Sequence, residues 1–277
     1  MKRETRRHAS GAKSSEGCAV DGRRCGTWTF WDACARRLAE GEFELDLRHG
    51  WHTSWFASTG RKRDEGAFVR GREHGAWTRW HENGRLAAEL HFQHGVLDGA
   101  WLARFDNGEL ESRGEYRGGA RSGAWVFHHR NARVREAGSY VGDRREGPWT
   151  EWHANGALSA RGEYRGGERE GLWNSWHKNG SVESRGSYSF GRRDGLWHAW
   201  FESGGARCEG AFVEGAPFGW WEFAYEHGVQ RAAGEFRDGR RNGPWNFWHP
   251  DGSLDALHSG TYWDDVLTVR KRGASFA

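Results

Sequence analysis

The feature that most constrains this chain is an exact short period. A Gly-x-Trp triplet begins at Gly75, Gly99, Gly123, Gly147, Gly171, Gly195, Gly219 and Gly243, and every step is the same, 99 − 75 = 24. Gly26-Thr27-Trp28 belongs to the same series, and Gly50 follows it by 24; the next unit starts 25 later, which places one extra residue near Trp51 and Trp55. Ten units result, over residues 17–263. Self-similarity at a fixed short period is the mark of a repeat architecture, in which each unit buries its apolar face against its neighbours.

Numbering each unit from its first Gly as zero exposes the internal pattern. Trp recurs at +2 (Trp77, Trp101, Trp125, Trp149, Trp173, Trp197, Trp221, Trp245), and a second Trp at +5 (Trp31, Trp80, Trp152, Trp176, Trp200, Trp248). His or an aromatic follows at +6, and Asn-Gly or a relative fills +8/+9, as in Asn83-Gly84 and Asn155-Gly156. Gly returns at +15 and Tyr or Phe at +17, including Tyr116, Tyr140, Tyr164 and Tyr188. Asn-Gly between short aromatic runs signals a β-hairpin, because a two-residue type I′ turn needs positive φ at both central positions. Each unit therefore reads as a hairpin, and the short Gly/Arg-rich connectors leave no room for a helix. The expected fold is all-β: an elongated, twisted antiparallel meander, solenoid-like, in a single sheet.

With the turn at +8/+9, cross-strand partners sum to 17, so the Trp at +2 faces the Gly at +15. An indole lying across a strand glycine covers the exposed backbone there. One face then carries Trp77, Trp101, Trp125, Trp149, Trp173, Trp197, Trp221 and Trp245 with the +17 aromatics, and is the expected core. The opposite face is largely charged, apart from the +5 ladder of Trp80, Trp152, Trp176, Trp200 and Trp248. Two readings of that ladder stand side by side: packing against the alkyl stems of neighbouring Arg, or a contact stripe for a partner.

The unit G-x-W-x-x-W-H-x-N-G-x-L-x-x-x-G-x-Y-x-x-G, clearest from Gly147 and from Gly171, resembles the bacterial variant of the MORN (membrane occupation and recognition nexus) repeat, in the arrays of YwqK-type antitoxins. The resemblance implies a hairpin-stacked β-array used for protein–protein or lipid contact, with toxin neutralisation as one narrower version.

Chemistry is not expected. Five of the 15 His residues (His81, His129, His153, His177, His249) share the +6 slot, which holds Phe or Tyr elsewhere. Equivalent positions two strands apart are separated by roughly 9–10 Å, too far to share one metal ion. No nucleophile elbow, phosphate loop or zinc-protease signature is present. The expectation is a protein with no enzymatic activity, no cofactor and no metal. Cys18, Cys25, Cys34 and Cys208 form no C-x-x-C pair, though the first three could approach one another. Lys+Arg exceed Asp+Glu by 41 − 38 = 3, and the two signs alternate, which argues against nucleic acid. No export signal or apolar span is evident, so a cytoplasmic location is expected.

Residues 1–16 read as a disordered basic tail, with residues 16–22 as the second strand of a unit whose first strand is missing. Residues 264–277 read as a capping strand, Val266 to Val269, and a basic end, with Asp264 and Asp265 on opposite faces of a strand. The expected partner is another protein, a toxin in the version the resemblance implies. A membrane surface is the second choice, and no small-molecule substrate is expected.

Overall fold

The computed structural model describes residues 2–271. They form 23 strands and no helix. The chain divides into two compact units, one running to Val134 and including Tyr140–Arg144, the other made of Arg135–Ser139 and the chain from Arg145 onward. Each is an antiparallel meander of sequence-adjacent strands, so the all-β class is the one expected. In the second unit, for example, Arg144–Trp152 pairs with Leu158–Arg165, which pairs with Glu168–Trp176, which pairs with Val182–Ser189.

The register between +2 and +15 is as expected: Trp149 opposes Gly162 and Trp173 opposes Gly186. The indole, however, lies over a different glycine. A Cβ added to Gly162 would meet the ring of Trp173, not Trp149, and one added to Gly138 would meet Trp149. Each ring thus reaches back across the connector to the preceding hairpin. There its Nε1–H donates to a carbonyl: Trp173 to Glu163 at 3.0 Å, Trp197 to Ser187 at 3.0 Å and Trp245 to Glu235 at 2.9 Å. Trp28 and Trp77 do the same in the first unit, to Cys18 and Ala67.

This reach depends on a bulge. Glu163 pairs with Glu170 while Arg161 pairs with Asn174, so the second strand carries Gly171 and Leu172 in excess. Gly171 has φ +64°, a left-handed conformation that a side chain disfavours, and this explains the first Gly of every unit.

Around the indoles the +17 rings complete an edge-to-face chain. In the second unit Tyr164–Trp173, Tyr188–Trp197 and Phe236–Trp245 have centroids 5.1, 5.1 and 4.8 Å apart, with interplanar angles of 85°, 89° and 80°. Such pairs add about 1 kcal/mol each beyond area burial.

Trp101 departs from this core. It is only half-buried, and its Nε1–H goes to Ser112 Oγ in its own hairpin. The cause lies opposite it: Leu90 occupies the slot that is Gly elsewhere, so the ring has no bare backbone to cover. Tyr116, Tyr164 and Tyr188 lie on the core face but are likewise half-buried, whereas Tyr140 is fully buried.

The turns also differ from expectation. At Asn83-Gly84 the N–H of His81 bonds to the carbonyl of Arg85 and that of Gly84 to His81, which makes a three-residue loop. Gly84 takes φ +87° while Asn83 is absent from the positive-φ residues, because its Oδ1 accepts the Arg85 N–H at 2.9 Å and holds an Asx-turn. The two-residue turns lie instead at the connectors, where Gly166 and Gly167 both have positive φ and Arg165 pairs with Glu168. The extra residue of the unit at Gly50 sits in its hairpin loop, 57–60, closed by Phe56 and Arg61, so the strands keep their register.

The chain's beginning is a hairpin, not a tail. Lys2–Arg7 pairs with Lys13–Val20 in the register of every other unit, with Glu4 opposite Gly17. It is an eleventh copy in phase, with His8 at +6, Ser10-Gly11 at +8/+9 and Glu4 in place of Trp. A charged strand without an indole hides that phase from a search for Gly-x-Trp, yet it suits an outermost strand, where charge discourages edge-to-edge pairing. At the other end Val266–Arg270 pairs with Gly260–Trp263. Asp264 and Asp265 form the turn between them, at φ +47° and +70°, rather than lying in a strand. Of the expected capping strand and basic end at 264–277, residues 272–277 lie outside the described residues.

If the indole needs bare backbone, Gly162→Ala and Gly186→Ala should each destabilise the second unit by about 2 kcal/mol, since the new Cβ would fall inside the ring of Trp173 or Trp197. Urea unfolding followed by circular dichroism measures the loss. Unchanged midpoints would show that the ring is free to move.

Candidate interaction surface

Equivalent side chains of successive hairpins make three ladders. The +6 His residues are the first. His81 Nε2–H donates to the Arg104 carbonyl at 2.8 Å, His153 to Trp176 at 2.8 Å and His177 to Trp200 at 3.0 Å. Tyr225 Oη–H reaches the Trp248 carbonyl at 2.9 Å, which explains why Tyr can share the slot. The +8 Asn is the second: Nδ2 of Asn83, Asn155 and Asn179 donates to the turn of the next hairpin, at Asp106, Lys178 and Glu202. Both residue types hold neighbouring hairpins together. Among the described residues no group of three or more His, Cys, Asp or Glu could hold a metal ion.

The third ladder went unread in the sequence. An Arg two residues before the first Gly of a unit lies over the aromatic core: Arg145 over Trp149 at 4.3 Å, Arg169 over Trp173 at 4.1 Å and Arg193 over Trp197 at 4.5 Å. Where the next connector carries Asp, the guanidinium also forms an ion pair with it. Arg24–Asp46, Arg121–Asp143 and Arg241–Asp265 are 2.9, 2.8 and 2.9 Å apart, and hydrogen bonds from those Arg residues hold each Asp carboxyl below its ordinary range. In the second unit Arg145 pairs with Glu136 and Glu151, and Arg169 donates to Tyr188 Oη at 3.3 Å. The signal was the alternation of Asp and Gly at the second connector residue, which looks like ordinary turn chemistry.

The +5 Trp residues are neither core nor free. Trp80, Trp152, Trp176, Trp200 and Trp248 are all half-buried. Lys62 lies over Trp80 at 5.4 Å, and His198 stacks on Trp200 at 5.8 Å between centroids.

Larger apolar exposure occurs at +1, which the sequence reading did not single out. In the second unit Leu172, Leu196 and Trp220 are 48%, 59% and 52% exposed. They are the second residue of the bulge in three successive hairpins, each one full period from the last. That offset turns them away from the indoles, onto the face that carries Trp176 and Trp200. An open depression of about 520 Å³ lies beside Leu172, lined also by Pro148, Arg161, Trp176 and Arg185 among others.

One core position is chemically unusual. In the first unit His52 stands where other units have Trp, with its ring against Gly41 and between Phe43 and Phe68 at 5.4 and 4.8 Å. It is buried, and neither ring nitrogen has a hydrogen-bond partner. Burial pushes its pKa down to about 4.

Comparison with known proteins identifies the repeat in part of the chain. Residues 73–94, 145–165 and 169–189 match the family described as MORN repeat variant. No curated protein matches the chain. Among solved structures, the crystal structure of TcdB2-TccC3 is similar at 10% identity over 91% of this chain and 17% of that one, with a TM-score of 0.21. A Photorhabdus luminescens Tc holotoxin pore is similar at 8% identity over 95% of this chain and 18% of that one, with a TM-score of 0.20. The chain spans under a fifth of the length of either, and likeness at these scores carries no argument.

His52 gives a pH prediction whose sign follows from proton counting. A free imidazole titrates near 6.5, the buried one at about 4. Between those values the unfolded chain holds a proton that the folded chain excludes. The neutral ring's contribution is therefore complete above pH 6.5 and is lost as pH falls toward 4. The loss is about 3 kcal/mol at most. His52→Phe should unfold in urea with a midpoint less dependent on pH between 7 and about 4.5 than the parent chain. Equal pH dependence in the two proteins would refute the assignment.

Proposed function

We propose that this protein is a non-enzymatic repeat scaffold that binds another protein through the bulge-bearing face of its second unit. The observation that carries this reading is the alignment of Leu172, Leu196 and Trp220, all about half exposed, at one offset of successive hairpins. Large apolar side chains scattered singly over a surface need no explanation, but a row repeated at one offset of successive hairpins and set among polar residues is the kind of feature association sites use. Trp176 and Trp200 flank the row with rigid, half-covered rings, and Arg161 and Arg185 supply a charged rim of the kind binding surfaces use. The match of three segments to the MORN repeat variant agrees with a scaffold role. The residue types that invite a catalytic reading have structural duties: the +6 His and the connector Asp residues are occupied in holding hairpins together.

A toxin as the bound protein is the narrower form of the proposal and rests on the resemblance to antitoxin arrays. Co-production with the product of a neighbouring reading frame tests it, rescue of growth being the expected result.

The triple change Leu172→Glu, Leu196→Glu and Trp220→Glu should leave the circular dichroism unchanged, since none of the three is in the aromatic core. It should weaken binding to the protein partner recovered by in-cell crosslinking by at least about tenfold, measured by titration calorimetry. Undiminished affinity would place the contact elsewhere. Salt-sensitive co-sedimentation of the parent chain with anionic vesicles, lost in the triple variant, would transfer this face to a membrane surface instead.

A further inference from the structure

Cys208 packs against the aromatic core, whereas the fold brings two of the other three cysteines together. Lys13–Val20 and Arg23–Trp31 are antiparallel neighbours joined by a two-residue turn at Asp21 and Gly22. Their register places Cys18 directly opposite Cys25. Directly opposed residues of an antiparallel pair project from the same face. Their Cα atoms lie about 4.5 or 5.5 Å apart, according to the hydrogen-bonding site. Both spacings fall within the roughly 4.4–6.8 Å that a disulfide spans.

The other two thiols are placed differently. Cys34 is exposed in the hairpin loop at the far end of the strand, where its N–H bonds to the Asp32 carboxylate at 2.9 Å. Cys208 lies in the second unit, opposite Ala199 and Phe223. Equivalent pairs in later repeats are Glu115 with Ser122, Glu163 with Glu170 and Ser187 with Asp194, so nothing in the repeat itself calls for cysteine. Both thiols are free and half-buried, open to a small reagent. The backbone beside them is pinned, because the fully buried Trp28 donates to the Cys18 carbonyl at 2.8 Å. Arg3, ion-paired with Glu16 at 3.1 Å, stands opposite Cys18 on its other side, and the exposed Arg23 lies two residues before Cys25 on the same strand. The Arg23 cation suits a reagent that bears carboxylates.

We propose that Cys18 and Cys25 are a reversible cross-strand dithiol–disulfide site that exchanges with a low-molecular-weight disulfide of the glutathione class. One thiolate attacks a sulfur of the reagent, forming a protein–reagent mixed disulfide and expelling one reagent thiol. The second protein thiolate attacks the protein-side sulfur, closes the Cys18–Cys25 bond and expels the other. Two electrons pass from the protein dithiol to the reagent, and the two protons lost by the cysteines reappear on the two released thiols. The closed bond ties together the strands on which Trp28 and the first strand, Lys2–Arg7, are seated, so oxidation stiffens this end of the first unit.

The test uses the full chain with Cys34→Ser and Cys208→Ser, equilibrated in oxidised and reduced glutathione, acid-quenched, alkylated and weighed intact. The expected product has lost two hydrogens, carries no glutathione and yields a peptide linking Cys18 to Cys25. A further Cys25→Ala change should instead leave glutathione on Cys18. Because a short loop also closes in an unfolded chain, the equilibrium is measured again in urea. The folded chain should favour the disulfide by at least about tenfold more, and its oxidised form should slow amide exchange across residues 13–31. A persistent mixed disulfide, two alkylated thiols, or an equilibrium no more favourable than in urea would each overturn the proposal.

Discussion

The structure depends on one contact, an indole laid over the bare backbone of the preceding hairpin. A single two-stranded hairpin cannot bury its own aromatic face, and here it does not attempt to. Trp173 sits on Gly162 and donates to Glu163; Trp197 sits on Gly186 and donates to Ser187. Each contact joins a repeat to its neighbour, so stability accrues along the chain as a sum of nearest-neighbour interfaces. The bulge that opens each unit exists to deliver the ring, because two residues in excess let the second strand carry Trp back across the connector.

Secondary ladders follow the same logic. The +6 His and +8 Asn residues donate forward to the next hairpin, while Trp donates backward. The Arg over the aromatic chain finds its carboxylate on the following connector where Asp is present. These His, Asn and connector Asp residues are thus spent on cohesion. Deviations are local and have local causes: Leu90 in place of Gly displaces Trp101, and His52 in place of Trp leaves an imidazole without a partner in an apolar stack.

In the proposed reading, function belongs to what cohesion leaves uncommitted. The bulge turns its second residue outward, and in the second unit that residue is Leu172, Leu196 and then Trp220. Beside them Trp176 and Trp200 are half-buried, and His198 stacks on Trp200.

The period, the hairpin at each unit, the pairing of +2 with +15 and the choice of core face were legible in the residues alone. A strict repeat and strand alternation admit few registers that put every Trp on one side. What the sequence could not say was which glycine an indole covers, since pairing within a hairpin and contact between hairpins involve the same residue types. Nor could it separate a two-residue turn from a three-residue one at Asn-Gly, because Asn can either adopt positive φ or fold its side chain onto the backbone. It missed the hairpin at Lys2–Val20, where His8, Ser10-Gly11 and Gly17 kept the phase but the marker Trp was absent. Sequence by itself determined the repeat and its faces, because these follow from periodicity. Only the tertiary structure decided how one repeat grips the next, and so which apolar residues remain exposed, because that choice rests on a backbone bulge and ring placement that no local pattern encodes.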